Sequence, residues 1–300
     1  MIETGWLWVV FTVIAAGAQT ARNAMQRELT VKLGTVGATH VRFLFGFPFA
    51  ALSLFFVLIV TGADLPSPPA AFWPWVLTGA VTQIAGTALM LAAMGERSFV
   101  VVTALLKTEA VQVAVFGFIF LSDRLSGGAT AAIVIATLGV VLMSIANKDM
   151  LGAAGLRPIL TGLGAGAIFA LSAVTYRGAI LSLSLPDFVV AATFTLAVGL
   201  LIQAAMLSFY LMLRDPGVMT AILRSWRQSL FAGFMGALSS QFWFLAFALA
   251  TAASVRTLAL IELLFAQLFT RFAFKQKLSA REGLGIALVA GGVLLLLWTH

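Results

Sequence analysis

Long apolar runs separated by short polar links are the dominant pattern of this chain. A helix needs ~20 apolar residues to cross a bilayer, and ten runs are about that long. They are Gly5–Ala24, Ala38–Thr61, Phe72–Met94, Val100–Leu121, Ala129–Ala146, Leu160–Leu181, Phe188–Met212, Leu230–Leu249, Val255–Phe274 and Gly283–Trp298. None alternates with the period of two that is typical of a membrane β-barrel. The pattern predicts an all-α polytopic membrane protein with ten transmembrane helices.

Composition narrows the function classes. The chain is 61% hydrophobic and 10% charged, whereas a soluble protein carries about 25% charge. Its net charge of +7 comes from basic residues spread between the apolar runs, which does not indicate nucleic-acid binding. With no cysteine and two histidines, thiolate metal sites and disulfides are excluded. We expect no metal and no cofactor.

The two halves of the chain resemble each other. Residues 125–143 (LSGGATAAIVIATLGVVLM) match 278–296 (LSAREGLGIALVAGGVLLL) at an offset that also aligns Glu109 with Glu262. Five spans in each half would invert the second copy, as in many secondary transporters. We expect a five-helix repeat at 1–147, a connecting loop at 148–158 and an inverted repeat at 159–300. Similar composition of apolar helices is the alternative.

Basic residues indicate the orientation. Twelve Lys and Arg, Arg22 among them, fall in the odd-numbered links, and three, including Arg177 and Arg256, fall on the other side. Cytoplasmic loops are enriched in Lys and Arg, so both termini are expected outside. The first run lacks a basic flank and a cleavage site, so we interpret it as a retained span.

Two similar turns give the chain a family resemblance. Ser122-Asp-Arg-Leu-Ser126 and Lys275-Gln-Lys-Leu-Ser279 precede the fifth and tenth runs. They resemble the Gly-Glu-Arg-Leu-Ser-like turns of EamA-type exporters in the drug/metabolite transporter (DMT) superfamily, although Asp123 replaces the usual acid and Gln276 is neutral. The chain looks most like the YddG-type exporters of aromatic and other amino acids. The resemblance implies a central cavity, alternating access and export across a bacterial inner membrane.

Ionisable residues inside the spans are the leading site candidates, because such residues usually face a cavity or a partner. Lys107, Glu109 and Glu262 are the deepest, whereas Arg42 lies nearer a span end and can snorkel. The two glutamates are candidates for binding a substrate amino group and for proton coupling, with a structural ion pair as the alternative. Residues two apart lie about 200° around a helix, so Lys107 and Glu109 are expected to face different neighbours.

Neutral polar and aromatic residues complete the candidate set, with helix contacts and packing as the alternative role, or, for His40, a hydrogen-bonded position at a helix end. The cavity candidates are Gln83, Gln112, Tyr176, Ser239, Ser240, Trp243 and His40. Pro48 is a hinge or gating candidate, because proline removes one helical hydrogen bond.

The leading function is a secondary exporter of amino acids, with aromatic and other neutral ones favoured, or of related small metabolites. No nucleotide-binding loop is present in the sequence to couple ATP hydrolysis. Proton-coupled efflux of lipophilic cations is the first alternative, and a membrane-embedded enzyme is a remote one. The expected partners are the substrate and the lipid bilayer, and the chain is expected to be a monomer.

Overall fold

The computed structural model describes residues 4–96, 102, 105–146, 157–263 and 280–299, and it is helical in all the longer segments. A single 3₁₀ turn at Thr4–Trp6 leads into the first helix. The helices are α1 (Leu7–Leu44), α2 (Gly46–Thr61), α3 (Phe72–Glu96), α4 (Glu109–Leu121), α5 (Gly127–Ala146), α6 (Arg157–Ser182), α7 (Phe188–Arg214), α8 (Pro216–Arg224), α9 (Trp226–Leu249), α10 (Ala252–Leu258) and α11 (Ala280–Thr299).

Six helical stretches of the described chain are long and apolar enough to cross a membrane. They are Leu7–Thr61, Phe72–Gly95, Leu160–Ser182, Phe188–Arg214, Trp226–Leu249 and Arg281–Thr299, and Glu109–Leu121 and Gly127–Met143 are shorter apolar helices. Apolar side chains such as Phe55, Phe118 and Phe209 remain exposed on the outer faces, as lipid contact would require. The all-α membrane architecture is confirmed, and the ten spans and the inverted repeat stay predictions.

Helix α1 is a hairpin of two helical arms. Its backbone leaves helical geometry at Gly34 (φ 68°, ψ 174°). The Nε2 atom of Gln26 donates a hydrogen bond to the carbonyl oxygen of Ala38 at 3.0 Å, although residues twelve apart in a continuous helix are about 18 Å apart. The chain therefore turns back on itself at Gly34. The turn falls within the predicted link between Ala24 and Ala38, but it is much shorter than that link, because the residues on both sides of Gly34 are helical.

Helix α4 is preceded by a break at the centre of a predicted span. Lys107 and Thr108 form a turn, in which both the amide and the hydroxyl of Thr108 donate to the carbonyl of Leu105. Glu109 then begins α4. The prediction of one continuous helix over Val100–Leu121 is therefore wrong.

A matching break follows α10. Ala259 and Leu260 form a turn, and helical geometry resumes at 261–263 with Glu262 donating its amide to the carbonyl of Ala259. The predicted run Val255–Phe274 is thus interrupted as well, and its part after 263 lies outside the described residues. Each of the two glutamates that the sequence offset aligns follows a break.

Glycines bring α5 and α11 into close contact. A Cβ atom on Gly139 would lie 2.7 Å from the carbonyl oxygen of Gly285, and one on Gly292 would lie 2.7 Å from the amide nitrogen of Ala136. These distances are too short for any larger residue without movement of the backbone. Gly139 and Gly292 are the pair that the repeat offset aligns.

The turn before α5 is fixed by an ion pair. Arg177 of α6 donates from NH1 to Asp123 Oδ1 at 2.7 Å and from Nε to the carbonyl oxygen of Ala250 at 3.0 Å. Asp123 is the acid of the motif Ser122–Ser126, so this turn is tied to the end of α9. The corresponding turn at 275–279 and the connecting loop up to residue 156 lie outside the described residues.

Candidate functional site

A cavity lies among helices α1, α3, α4, α6, α9 and α10. Six charged residues line it: Arg22, Arg42, Lys107, Glu109, Arg256 and Glu262. The space that no protein atom occupies is about 650 Å³, counting the part open to solvent. Charged groups are costly among apolar helices, so this concentration of charge marks the cavity as the candidate functional site.

Glu109 pairs with a cation from the opposite half of the chain. Arg256 NH1 lies 3.3 Å from Glu109 Oε1, and both side chains are 9% exposed. Glu109 occupies the first turn of α4, where the positive end of the helix dipole favours a carboxylate. The break at 107–108 creates this helix start, so the local backbone and the arginine both stabilise the charge.

Glu262, in the second half of the chain, pairs with a cation from the first half. Lys107 Nζ lies 2.7 Å from Glu262 Oε2, and the Thr20 hydroxyl donates to Glu262 Oε1 at 2.7 Å. The Lys107 side chain is 5% exposed and that of Glu262 is 14% exposed. Here the cation comes from the first half and the carboxylate from the second. Lys107 and Glu109 face different neighbours, as expected, because Lys107 pairs with Glu262 and Glu109 pairs with Arg256. Both nevertheless line the same cavity.

The aromatic wall of the cavity also contacts Arg256. Its guanidinium carbon lies 4.3 Å from the ring centroid of Trp243 and 5.5 Å from that of Phe247. Such cation–π contacts stabilise a desolvated arginine by up to about 2 kcal/mol. The Trp243 indole in turn donates to Gln19 Oε1 at 3.1 Å. The Arg256 side chain therefore contacts both the carboxylate of Glu109 and the aromatic surface.

None of the three cavity arginines, Arg22, Arg42 and Arg256, was identified as a site residue from the sequence. Arg22 is 2% exposed and Arg42 is 3% exposed, so the predictions of a link position for Arg22 and of snorkelling for Arg42 are wrong. Arg22 lies in the first arm of α1, before Gly34, and Arg42 lies in the second arm, after it. A helical stripe of polar residues at Gln19, Arg22, Asn23 and Gln26 is the sequence signal that would have found the first.

Six of the predicted site residues line the cavity: Gln83, Glu109, Tyr176, Ser240, Trp243 and Glu262. Gln83 accepts a hydrogen bond from Gln203 Nε2 at 2.8 Å. The Ser240 hydroxyl lies 3.4 Å from Arg42 NH2. The ring of Tyr176 packs on Phe244, with the centroids 4.7 Å apart. These contacts join α3 to α7, α1 to α9 and α6 to α9 around the site.

Three other predicted cavity residues lie outside the lining. His40 Nε2 is 3.1 Å from the Ser208 hydroxyl, and Ser239 donates to the carbonyl of Ala15 at 3.0 Å. Gln112 is near Gly166, where a Cβ atom would lie 3.5 Å from Gln112 Oε1. All three lie at contacts between helices.

Pro48 lies in the first turn of α2, three residues after the junction with α1 at Phe45. Proline has no amide hydrogen to donate to the carbonyl four residues earlier, which here belongs to Leu44, the last residue of α1. The junction between the two helices therefore falls where that hydrogen bond is missing. The hinge role stays a prediction.

The fold and the cavity define an all-helical protein with membrane-length helices around a charged interior. No protein-family model matches this chain, and no curated protein matches it. A solved structure described as "Crystal structure of protein" is similar over 95% of this chain and 97% of that chain, with a TM-score of 0.65 and 16% sequence identity. At this identity the similarity shows the fold alone.

Proposed function

We propose that this protein is a secondary transporter that moves small carboxylate-bearing metabolites, amino acids among them, across a membrane. The observation that carries the proposal is the pair of interrupted helices with Glu109 and Glu262 at their breaks, both lining one cavity. Interrupted helices at mid-membrane sites are a common device for binding ions and polar substrates in transporters.

The ion pairs give the cavity a means of changing state. Glu109–Arg256 and Lys107–Glu262 each join the first half of the chain to the second. A movement of one half against the other would separate both pairs, and substrate groups can compensate the charges that are released. This supports alternating access by rocking of the two halves.

The family assignment is part of the proposal. The motif Ser122–Ser126, the paired glutamates and the close contact at the repeat-related Gly139 and Gly292 support an EamA-type exporter of the drug/metabolite transporter superfamily. Export across a bacterial inner membrane follows from that resemblance.

Efflux of lipophilic cations has weaker support from the same cavity. A cationic drug needs a carboxylate, and both cavity carboxylates already have a cationic partner within 3.3 Å. The described lining residues carry four cations and two carboxylates, which repel a cationic substrate.

Flux into proteoliposomes tests the proposal. Purified protein is reconstituted and supplied with labelled Phe, Trp, Met, Thr, Lys and Glu, and with the lipophilic cation tetraphenylphosphonium, with and without a pH gradient. We expect saturable flux of at least one carboxylate-bearing compound, abolished by Glu109→Gln. The matched control is Glu28→Gln, which removes an exposed carboxylate on α1. Flux of tetraphenylphosphonium alone, or no flux through folded protein, would contradict the proposal.

A further inference from the structure

Arg22 and Arg42 have no carboxylate within ion-pair distance among the residues that the structure describes. Arg22 donates from Nε and NH2 to the neutral Asn23 Oδ1, at 3.1 and 2.7 Å. Arg42 NH1 donates to the Thr87 hydroxyl at 3.1 Å, and NH2 lies 3.4 Å from the Ser240 hydroxyl. The NH1 atom of Arg22 and the Nε atom of Arg42 are buried without a hydrogen-bond partner in this part of the chain.

The two arginines lie side by side. A Cβ atom placed on Gly236 of α9 would lie 3.2 Å from Arg42 Cγ and 3.4 Å from Arg22 Cδ. Both side chains therefore cross the same glycine and enter the cavity together. Two like charges in one cavity repel each other more strongly in a medium of low dielectric constant than in water. Buried cations without a counter-charge are a recognised mark of a functional site in a membrane.

A bound anion would accept hydrogen bonds from the unpartnered guanidinium atoms and would reduce the repulsion between the two arginines. A carboxylate accepts hydrogen bonds from guanidinium groups in a planar, charge-assisted arrangement. It would also offset part of the excess of two positive charges that the described lining residues leave. The aromatic residues of the same cavity (Phe169, Trp243, Phe244 and Phe247) provide an apolar surface for the rest of such a molecule.

We infer that Arg22 and Arg42 bind the anionic group of the transported molecule, and that the substrate class is organic carboxylates with an aromatic or apolar body. This inference rests on the proposed transport function and specifies its substrate. An ammonium group is not needed for recognition, because Glu109 and Glu262 are already paired with Arg256 and Lys107. A carboxylate without an amino group is therefore a better ligand than the corresponding zwitterion.

Three probes with the same phenyl body separate the contributions of the two charged groups. The probes are 3-phenylpropionate, which has only the carboxylate, phenylalanine, which has both groups, and phenethylamine, which has only the ammonium. Binding to the purified full chain in detergent is measured by calorimetry. We expect affinity to fall in that order, with no saturable binding of phenethylamine. Equal or tighter binding of phenethylamine, or no binding of 3-phenylpropionate, would overturn the inference.

Variants then assign the binding to the two arginines. Arg22→Met and Arg42→Met are each expected to weaken binding of 3-phenylpropionate by about tenfold or more, as loss of a charged hydrogen bond does. The matched control is Arg27→Met, which removes an exposed cation from the same helix and leaves affinity unchanged. Unchanged affinity in both cavity variants would overturn the inference.

Stability separates a binding role from a structural one. Removing a buried charge that lacks a counter-charge relieves repulsion, so the unfolding midpoint of Arg22→Met and Arg42→Met without probe should equal or exceed that of the wild type. A lowered midpoint in both would indicate that the arginines support the fold, against the inference. If either variant fails to fold, Arg22→Lys and Arg42→Lys keep the charge without the planar donors, and weakened binding is then the expected result.

The two proposals fail in different ways. Arginine-dependent binding of 3-phenylpropionate without flux of any compound into vesicles would support the anion site and contradict the transport function. Flux of amino acids together with binding that neither arginine affects would support transport and overturn the anion site.

Discussion

Arg256 of the second half of the chain lies 3.3 Å from Glu109 of the first half, and this ion pair is buried. The pair Lys107–Glu262 runs the opposite way, with the cation in the first half and the carboxylate in the second, at 2.7 Å. Two ion pairs of opposite polarity therefore link the two halves of the chain at the cavity. Each of the two glutamates that the sequence offset aligns is paired with a cation that the same offset does not align.

Removing one partner of the Glu109–Arg256 pair should destabilise the protein more than removing both. Glu109→Gln leaves a buried guanidinium without its carboxylate, at a cost of about 3 kcal/mol. The double variant Glu109→Gln with Arg256→Met removes both charges, so its unfolding free energy should recover in part. Unfolding midpoints in one detergent measure this double-mutant cycle. Additive effects of the two substitutions would show that the groups do not interact.

Exchanging the charges of the second pair should preserve it. Lys107→Glu alone places two carboxylates together, and Glu262→Lys alone places two cations together, so each single variant should lose transport and stability. The double exchange restores opposite charges. In the wild-type protein the Thr20 hydroxyl lies 2.7 Å from a carboxylate oxygen of Glu262, and in the double variant it can accept a hydrogen bond from the ammonium group at position 262. We expect partial recovery of the thermal midpoint and of flux. A double variant no better than either single one would argue against a direct ion pair.

The contact between α5 and α11 should tolerate no side chain at Gly292. A Cβ atom there would lie 2.7 Å from the Ala136 amide nitrogen and 2.8 Å from the Ala132 carbonyl oxygen, so Gly292→Ala should cost about 1–3 kcal/mol. The neighbouring Gly291 has no atom within 4 Å of its Cβ position. Gly291→Ala is the matched control and should leave stability unchanged or raise it by up to about 1 kcal/mol. Thermal unfolding distinguishes the two, and equal midpoints would contradict the packing.

The hairpin turn of α1 should depend on glycine for conformational reasons alone. Gly34 has φ 68° and ψ 174°, a region that other residues enter at a cost of about 1–3 kcal/mol, yet no atom lies within 4 Å of its Cβ position. Gly34→Ala should therefore lower the unfolding midpoint. Gly17→Ala, in the helical part of α1 and equally open, should not. A midpoint for Gly34→Ala at or above that of Gly17→Ala would show that the turn is not strained.

Most of the secondary structure follows from the order of residues. Long apolar runs place the chain in lipid, and a backbone in lipid must satisfy its own hydrogen bonds, which favours helices. The predicted runs Phe72–Met94, Leu160–Leu181 and Phe188–Met212 match α3, α6 and α7 to within a few residues. The first predicted run ends at Ala24, whereas helix continues to the turn at Gly34, because the polar and charged residues after Ala24 end the apolar run but not the helix.

The candidate site was also only partly predictable from the sequence. Carboxylates inside apolar runs are costly, so Glu109 and Glu262 are conspicuous in the sequence without knowledge of any partner. The breaks at 107–108 and 259–260 have no proline or glycine to announce them, and they decide where both glutamates point. Ser239 and Ser240 are adjacent in the sequence, yet only Ser240 lines the cavity.

The sequence by itself determined that the chain lies in lipid, that it is helical, and which charged residues lie inside apolar runs. These properties depend on composition and local order. Only the tertiary structure decided which charges meet. Glu109 and Arg256, or Lys107 and Glu262, become neighbours through the packing of helices that are far apart in the chain. Packing likewise brings Arg22 and Arg42 together over Gly236, because the turn at Gly34 folds the two arms of α1 against each other.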